Sequence, residues 1–162
     1  MARLTTIEID KEDIKFSAAH FTIFSATERE RLHGHNFKVF MSVVAPVHDD
    51  GLCFSYHLLK DRLRDFCNSL DEYTILPAHS PNMSVEDDGN TFVANHNGDV
   101  MRFLKTDTKV LPVRNTTVEE LSHFILETLR EDQQFVQENE IQHMLVKVSS
   151  GPGQCGSSEW HL

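Results

Sequence analysis

The feature that most constrains the fold of this chain is the regular alternation of apolar residues between Asn36 and Val44. Successive side chains of a strand point to opposite faces, so the pattern predicts a strand with one buried and one open face. A strand of this kind needs partners in a sheet and a second layer that covers its apolar face. The residues on the predicted buried face are Phe37, Val39, Met41 and Val43.

Further strands are predicted on both sides of this segment. A short hairpin is expected around the pair Asn97-Gly98, because Asn-Gly favours the tight turns that join antiparallel strands. The predicted strands are 4–10, 13–21, 36–44 and 141–149, and the strands of the hairpin are 91–94 and 99–103. The alternative for 13–21 is that it continues the first strand after a bulge.

Two amphipathic helices are predicted among these strands. Ser55 is expected to be the N-cap of the first helix. The second begins near Thr116, where Thr116 and Glu119 have the spacing of a capping box. In each helix, apolar side chains at helical spacing form a buried stripe. The stripes are Leu59, Leu63, Phe66 and Leu70 in the first helix, and Val118, Leu121, Ile125 and Leu129 in the second.

This order of elements predicts an α+β fold in which an antiparallel four-stranded sheet carries two helices on one face. We expect a single domain over residues 1–162, because no repeat and no linker rich in Pro, Gly or Ser divides the chain. Apolar residues make up 40% of the sequence, which is enough to build the core of such a domain.

Charge and composition exclude several classes of partner. Lys and Arg total 15 and Asp and Glu total 25, so the formal net charge is −10 and nucleic-acid binding is not expected. No apolar run approaches the ~20 residues of a membrane-spanning helix, and the N-terminus lacks the apolar core of a secretory signal. The cysteines are odd in number and widely spaced, which favours a reducing, cytoplasmic location. They are Cys53, Cys67 and Cys155.

Histidine supplies the strongest signal of chemistry. His33 and His35 lie two residues apart at the start of a predicted strand, so their side chains share one face. His20, at the end of the preceding predicted strand, is the natural third ligand for a catalytic zinc, which uses three protein ligands and one open position. Three imidazoles favour zinc over calcium or magnesium. From spacing alone, the alternative is that these histidines are structural or exposed.

These motifs resemble those of a known family. FSAAHF followed by LHGHNFKV is similar to the zinc motif of the 6-pyruvoyl-tetrahydropterin synthase family, which includes the 6-carboxytetrahydropterin synthases of queuosine biosynthesis. Segments 69–71, 115–121 and 146–148 resemble the family in the same order. The resemblance implies zinc at His20, His33 and His35 and the tunnelling fold, in which subunits join their sheets into a barrel. It also implies a lyase that breaks a carbon–oxygen or carbon–carbon bond of 7,8-dihydroneopterin triphosphate.

The chain departs from the family at the catalytic cysteine. The segment before the two histidines, residues 26–32, contains no cysteine. Glu30 matches a glutamate of the subgroup that lacks the cysteine, and that subgroup is associated with release of 6-hydroxymethyl-7,8-dihydropterin, a folate precursor. The resemblance therefore implies that Glu30 is the catalytic base. Without it, residues 28–31 would be interpreted as a solvated charged loop.

Other positions of the family motif are kept only in part. Asp71 matches the aspartate of the catalytic Asp-His pair, but Glu72 stands where the histidine is expected; His79, His96 and His123 are the candidates to replace it in space. Thr116 and Thr117 match threonines that contact the pterin.

The carboxylate that anchors the pterin in the family is also missing from its usual position. Ser150 stands where that glutamate is expected. Glu159 is the candidate to supply the carboxylate from the C-terminal tail. The alternative is that Glu159 is an ordinary exposed residue.

Three hypotheses follow from these residues. The first is a zinc-dependent enzyme that removes or rearranges the side chain of dihydroneopterin triphosphate, with 6-carboxytetrahydropterin synthase activity as its variant. The second is a pterin-binding relative that has lost the chemistry, and the third is a zinc-bearing structural oligomer. In each, a homohexamer built as a dimer of trimers is expected, because a closed barrel removes the exposed edges of a small sheet.

Overall fold

The computed structural model describes residues 3–162, which form ten strands, three α-helices and one short 3₁₀ turn at Lys105–Asp107. The helices are α1 (His57–Leu70), α2 (Val118–Arg130) and α3 (Gln133–Glu138). The first five strands are β1 (Arg3–Ile9), β2 (Lys15–His20), β3 (His33–Val47), β4 (Tyr73–Pro77) and β5 (Ser84–Asp87). The others are β6 (Thr91–His96), β7 (Asp99–Leu104), β8 (Thr108–Leu111), β9 (His143–Gly151) and β10 (Gln154–His161).

The main sheet has seven strands and is mixed. Its order is β10-β9-β3-β2-β4-β8, and β1 pairs with the second half of β3. β4 pairs in parallel with both β2 and β8, whereas the other pairs of this sheet are antiparallel. The α+β class is therefore confirmed, but the prediction of an antiparallel four-stranded sheet is wrong.

The sheet prediction is wrong because three strands, β4, β8 and β10, have no clear local signal. β4 and β8 are only five and four residues long, too short to show a periodic pattern, and they join the sheet through parallel pairing over long connections. β10 carries Gly156, Ser157 and Ser158 in its centre and so lacks the apolar enrichment of a typical strand. The predicted hairpin is confirmed as β6 and β7, to which β5 adds a third strand.

The helices cover one face of the main sheet, which we call the helix-covered face; the other is the open face. Alternate residues of β3 that point toward the helices are buried, as the alternation predicted. Both helical stripes reach the core, with Leu59 and Leu63 of α1 and Leu121 and Ile125 of α2 fully buried. A third helix, α3, follows α2 and adds Phe135 and Val136 to the same core.

The helix starts differ from the predictions by one residue. The N-cap of α1 is Tyr56, not Ser55, and it makes no side-chain capping bond. The N-cap of α2 is Thr117, whose hydroxyl accepts a hydrogen bond from the amide of Glu120 at 3.4 Å. Thr116 is drawn away from the cap because its own hydroxyl donates to the carbonyl of Phe21 at 3.1 Å. None of the helices in residues 3–162 combines the length and the apolarity needed to cross a membrane.

The small sheet supports the long loop between β2 and β3. A separate apolar cluster joins the two, with Phe21 and Ile23 from the loop packed against Ala94 of β6. Leu76 of β4 and Met83 complete this cluster. The loop that precedes His33 is therefore anchored at its first residues and is not a free solvated segment.

Candidate active site

Three histidines converge at one end of the helix-covered face. β2 and β3 pair antiparallel so that His20 lies opposite His33 and Ala18 lies opposite His35. The three ring centroids are separated by 4.8 Å (His20–His33), 5.2 Å (His20–His35) and 4.7 Å (His33–His35). The ligand nitrogens all lie within 4.8 Å of one another. We call these residues the enclosed cluster.

His20 is held in the form that a metal requires. It is 5% exposed, and its Nδ1 donates a hydrogen bond to the carbonyl oxygen of Thr116 at 2.8 Å. Because a carbonyl can only accept, the proton resides on Nδ1, and Nε2 is left with a free lone pair. That Nε2 is buried without a partner. Burial lowers the pKa of His20 to about 4, so the ring is neutral at pH 7.

His33 and His35 direct their Nε2 atoms at each other. Nδ1 of His33 donates to the carbonyl of Arg31 at 2.7 Å, which leaves its Nε2 free to bind a metal. The two Nε2 atoms are 3.0 Å apart. With a proton on Nε2 of His35 this contact is a hydrogen bond to His33, and without that proton both nitrogens offer lone pairs to one cation. Together with the unpartnered Nε2 of His20, this arrangement fits a zinc ion with three imidazole ligands.

Glu30 lies beside the enclosed cluster and is held by the backbone of the loop. Its amide donates to the carbonyl of Thr22 at 2.8 Å, and its Oε2 accepts from the amide of Thr22 at 2.9 Å. The same Oε2 is 3.8 Å from Nε2 of His33. Partial burial raises the pKa of Glu30, but the hydrogen bonds from Thr22 and the nearby His33 outweigh it, and the net pKa is lowered. The carboxylate is therefore ionised at neutral pH.

Asn115 fixes the path of this loop. Its amide nitrogen donates to the carbonyl of Ile23 at 2.8 Å, and its side-chain oxygen accepts from the amide of Ile23 at 3.2 Å. The same oxygen accepts from the amide of Thr116 at 3.0 Å, which ties the loop to the start of α2. Farther along, buried His96 donates from Nε2 to the carbonyl of Ser25 at 2.8 Å.

A cavity of about 380 Å³ opens next to the enclosed cluster. His20, His35 and Glu30 form one wall, and the N-terminal end of α2 and the β9–β10 turn form the others. Of the residues predicted to bind substrate, Thr117 and Ser150 line this cavity. Its remaining lining residues are Thr22, Phe37, Val118, Glu119, Gln154 and Cys155.

Three predicted site residues lie elsewhere. Asp71 is the C-cap of α1, and its Oδ1 accepts from the amide of Ser17 at 2.7 Å. Glu159 lies on β10 opposite Leu145, on the open face of the sheet, and does not line the cavity. Thr116 is buried behind His20 and contacts its Nδ1 side. The candidate histidines His79, His96 and His123 do not line the cavity either.

Six lining residues of the cavity were not predicted as site residues, and Glu119, Gln154 and Cys155 show why. Cys155 and Gln154 reach the cavity because β10 folds back on β9, and the turn signal Gly151-Pro152-Gly153 was the available clue to that hairpin. Glu119 was expected only to complete a cap, but the cap lies one residue later in the chain. The exposed carboxylate of Glu119 therefore lines the cavity instead.

The family of the chain follows from comparison with known proteins. The family model for 6-pyruvoyl tetrahydropterin synthase matches residues 8–159. The matched residues include most of the main sheet, the helices and the three histidines, so these features belong to an enzyme fold of pterin metabolism. The chain belongs to the 6-pyruvoyl tetrahydropterin synthase family. A sequence search of curated proteins finds no significant match.

Solved structures show the same fold. The Plasmodium vivax 6-pyruvoyltetrahydropterin synthase is 27% identical to the chain, covers 99% of both chains and has a TM-score of 0.92. A catalytic-residue mutant of that enzyme, with alanine in place of a glutamate, is 26% identical over 99% of both chains, with a TM-score of 0.93. The Plasmodium falciparum 6-pyruvoyl tetrahydropterin synthase is 28% identical, covers 98% of this chain and 99% of its own, and has a TM-score of 0.92.

Proposed function

We propose that this protein is a zinc-dependent lyase that cleaves the side chain of 7,8-dihydroneopterin triphosphate and releases 6-hydroxymethyl-7,8-dihydropterin. The observation that carries the proposal is the position of Glu30, whose carboxylate lies 3.8 Å from a ligand nitrogen of the enclosed cluster at the wall of the cavity. A glutamate is also the catalytic residue replaced in the Plasmodium vivax mutant enzyme. The family fold supplies the pterin chemistry.

His20, His33 and His35 are the residues that would hold zinc. When bound, zinc would act as a Lewis acid that increases the acidity of the hydroxyl groups on the substrate side chain. The chain contributes the geometry. Thr116 and Arg31 accept hydrogen bonds from the Nδ1 atoms of His20 and His33, so both rings present Nε2 to one point. Such partners fix the orientation of metal-binding imidazoles.

Glu30 would act as the general base. Its ionised Oε2 takes the proton from the hydroxyl on the second side-chain carbon, and the bond between the first and second carbons breaks. The electron pair of that bond passes into the C6–N5 imine of the dihydropterin, and the oxygen that lost its proton becomes the carbonyl of a two-carbon aldehyde bearing the triphosphate. Reprotonation of the first carbon, with Glu30 as the acid, yields the 6-hydroxymethyl product.

The pterin ring would lie in the cavity against the N-terminal end of α2 and the β9–β10 turn. The ring offers an edge of N–H donors, and Glu119 and Gln154 supply acceptor oxygens there. Thr117 and Ser150 add hydroxyl groups to the same wall. Glu159, predicted to anchor the pterin, and Asp71, predicted to act in catalysis, do not belong to this wall, because one lies on the open face and the other caps α1.

We also propose that the chain assembles into a ring, as a hexamer of two trimers. In the described part of the chain, β10 lies at one end of the main sheet and pairs only with β9, and β1 pairs only with β3. Pairing of β10 with β1 of a neighbouring copy would extend the sheet into a closed barrel and remove both edges. A monomer in light scattering at micromolar concentration would contradict this assembly.

The decisive experiment is turnover of dihydroneopterin triphosphate by the zinc-loaded protein, with the pterin product identified by mass spectrometry. We expect 6-hydroxymethyl-7,8-dihydropterin and a stoichiometric amount of the two-carbon triphosphate aldehyde. A 6-pyruvoyl or 6-carboxy product would contradict the proposed cleavage and leave the family chemistry intact. Tight pterin binding without any product would instead identify the chain as a binding protein.

A further inference from the structure

We propose that His143, Glu159 and His161 form a second metal site, on the open face of the main sheet, that binds Zn²⁺. We call these residues the open cluster. The proposal does not depend on the proposed function, because none of the three residues lines the cavity.

The pairing of β9 with β10 brings the three side chains together. His161 lies directly opposite His143, and Glu159 lies two residues before His161 on the same strand. Side chains alternate between faces along a strand, so all three point to the open face. The intervening residues confirm this assignment, since Met144 is fully buried and Trp160 packs against the core on the helix-covered face.

The distances match those of a metal site. Oε2 of Glu159 is 3.2 Å from Nε2 of His143 and 3.6 Å from Nε2 of His161. The three ligand atoms lie within 4.8 Å of one another. Zinc bonds of about 2.0–2.1 Å at a tetrahedral angle place neighbouring ligand atoms roughly 3.3 Å apart. Small rotations of the exposed side chains of Glu159 and His161 are enough to reach that geometry.

The donor set also fits a divalent transition metal. Two imidazoles and one carboxylate form a common set of ligands for zinc, and the carboxylate offsets part of the charge of the ion. The imidazole rings stack with centroids 4.2 Å apart, and the Nε2 atoms of both rings lie within 3.6 Å of Oε2 of Glu159. Lys147 does not form an ion pair with Glu159, because its ammonium lies over the ring of Phe40, 5.2 Å from the centroid.

The open cluster is remote from the enclosed cluster. Ser150 and Gln154 of the cavity lie at the turn end of the β9–β10 hairpin, whereas His143 and His161 lie at its opposite end. Ser150 lies seven positions after His143, and at about 3.3 Å per position this is roughly 23 Å along the strand. Zinc binding at one cluster can therefore be removed without disturbing the ligands of the other.

The test is titration of the chelator-treated protein with Zn²⁺, monitored by calorimetry and checked by metal analysis after gel filtration. We expect two equivalents per chain for the parent. Glu159→Gln and His161→Ala should each weaken one equivalent by at least ~10–100-fold, the range found for partners one step removed from a metal. His123→Ala, which removes an exposed histidine outside both clusters, should leave both equivalents in place.

The double variant His33→Ala/His35→Ala separates the two sites. If this double variant still binds one equivalent of zinc, and the triple variant that adds His161→Ala binds none, the open cluster is supported. The parent could instead bind one equivalent that persists in His33→Ala/His35→Ala and is lost in His161→Ala. That result supports the open cluster and contradicts zinc at the enclosed cluster. If Glu159→Gln and His161→Ala bind zinc as the parent does, the open cluster is not a metal site. Circular dichroism of each variant checks that the fold is retained.

Discussion

The enclosed and open clusters use nearly the same donors in opposite surroundings. In the enclosed cluster, backbone carbonyls hold two of the rings through Nδ1, and His20 is almost fully buried. In the open cluster, the rings are held by stacking and by the carboxylate of Glu159, whose side chain is 59% exposed. The ligands of the enclosed cluster are therefore positioned before any metal arrives, whereas those of the open cluster can still rearrange.

The surroundings of the two clusters decide which of them can support catalysis. The enclosed cluster borders a cavity of about 380 Å³ and has the ionised carboxylate of Glu30 beside it. The open cluster lies on a sheet face, and its only carboxylate is itself a proposed ligand. Fixed ligands next to a substrate-sized cavity favour catalysis, whereas adjustable ligands on a surface favour metal binding alone.

Removing the ligands of the enclosed cluster should reduce turnover more than any other change. In His33→Ala/His35→Ala, turnover of dihydroneopterin triphosphate should fall to the background rate, because neither zinc nor the paired imidazoles remain. Turnover is measured by mass spectrometry of the pterin product. His123→Ala is the control and should turn over as the parent does. Activity in the double variant would show that the enclosed cluster is not the reaction centre.

Glu30→Gln should have the next largest effect. The substitution keeps the shape of the side chain and removes the base, and loss of a general base typically costs ~10²–10⁴-fold in rate. Zinc content should remain that of the parent, which separates this effect from ligand loss. Glu28→Gln, an exposed change in the same loop, is the matched control. Equal rates for Glu30→Gln and Glu28→Gln would refute the catalytic assignment.

Gly156→Ala should destabilise the wall that the cavity shares with α2. A Cβ at Gly156 would lie 2.6 Å from the backbone carbon of Val118 and 2.7 Å from the amide nitrogen of Glu119, so the backbone must move. Overpacking of this kind costs ~1–3 kcal/mol in the free energy of unfolding, measured by denaturant titration. Gly151→Ala, where a Cβ meets nothing within 4 Å, should change it by less than about 0.5 kcal/mol.

The smallest effect is expected from alkylation of Cys155. Cys155 is exposed and lines the cavity, whereas burial raises the pKa of Cys67 to about 12 and keeps its thiol protonated at pH 8. Since the thiolate is the reactive form, iodoacetamide at pH 8 should label Cys155 and spare Cys67. The added group should slow turnover, and bound pterin should slow the labelling, as followed by peptide mass spectrometry. Labelling of Cys155 at the same rate with and without pterin would contradict the proposed position of the ring.

The parts of the fold that could be predicted are those with a local signal. The alternation in β3, the Asn97-Gly98 turn and the helical stripes each depend on neighbouring residues, and all three are found in the structure. β4 and β8 carry no such signal, because parallel pairing with β2 is decided by residues far along the chain. Local patterns therefore could not predict the number or the direction of the strands.

The same division applies to the candidate site. The HxH spacing and the position of His20 were enough to predict that three imidazoles meet, since strand geometry alone places them on one face. The cavity walls depend on tertiary contacts. Cys155 reaches the cavity only because β10 folds back on β9, and Asn115 holds the Glu30 loop across 92 residues of sequence. The turn residues 151–153 indicate the hairpin, but no local pattern predicts that Cys155 lines a cavity or that Asn115 holds the loop.

The length of β3 has a consequence for how this chain can vary over generations. The strand runs for 15 residues without a break, with His33 and His35 at its start and the buried core positions after them. An insertion of one residue after Asn36 would turn both imidazoles to the open face, because each step along a strand reverses the side. Single-residue insertions and deletions between His35 and Phe37 should therefore be eliminated by selection, and changes in length should accumulate in turns such as residues 48–53.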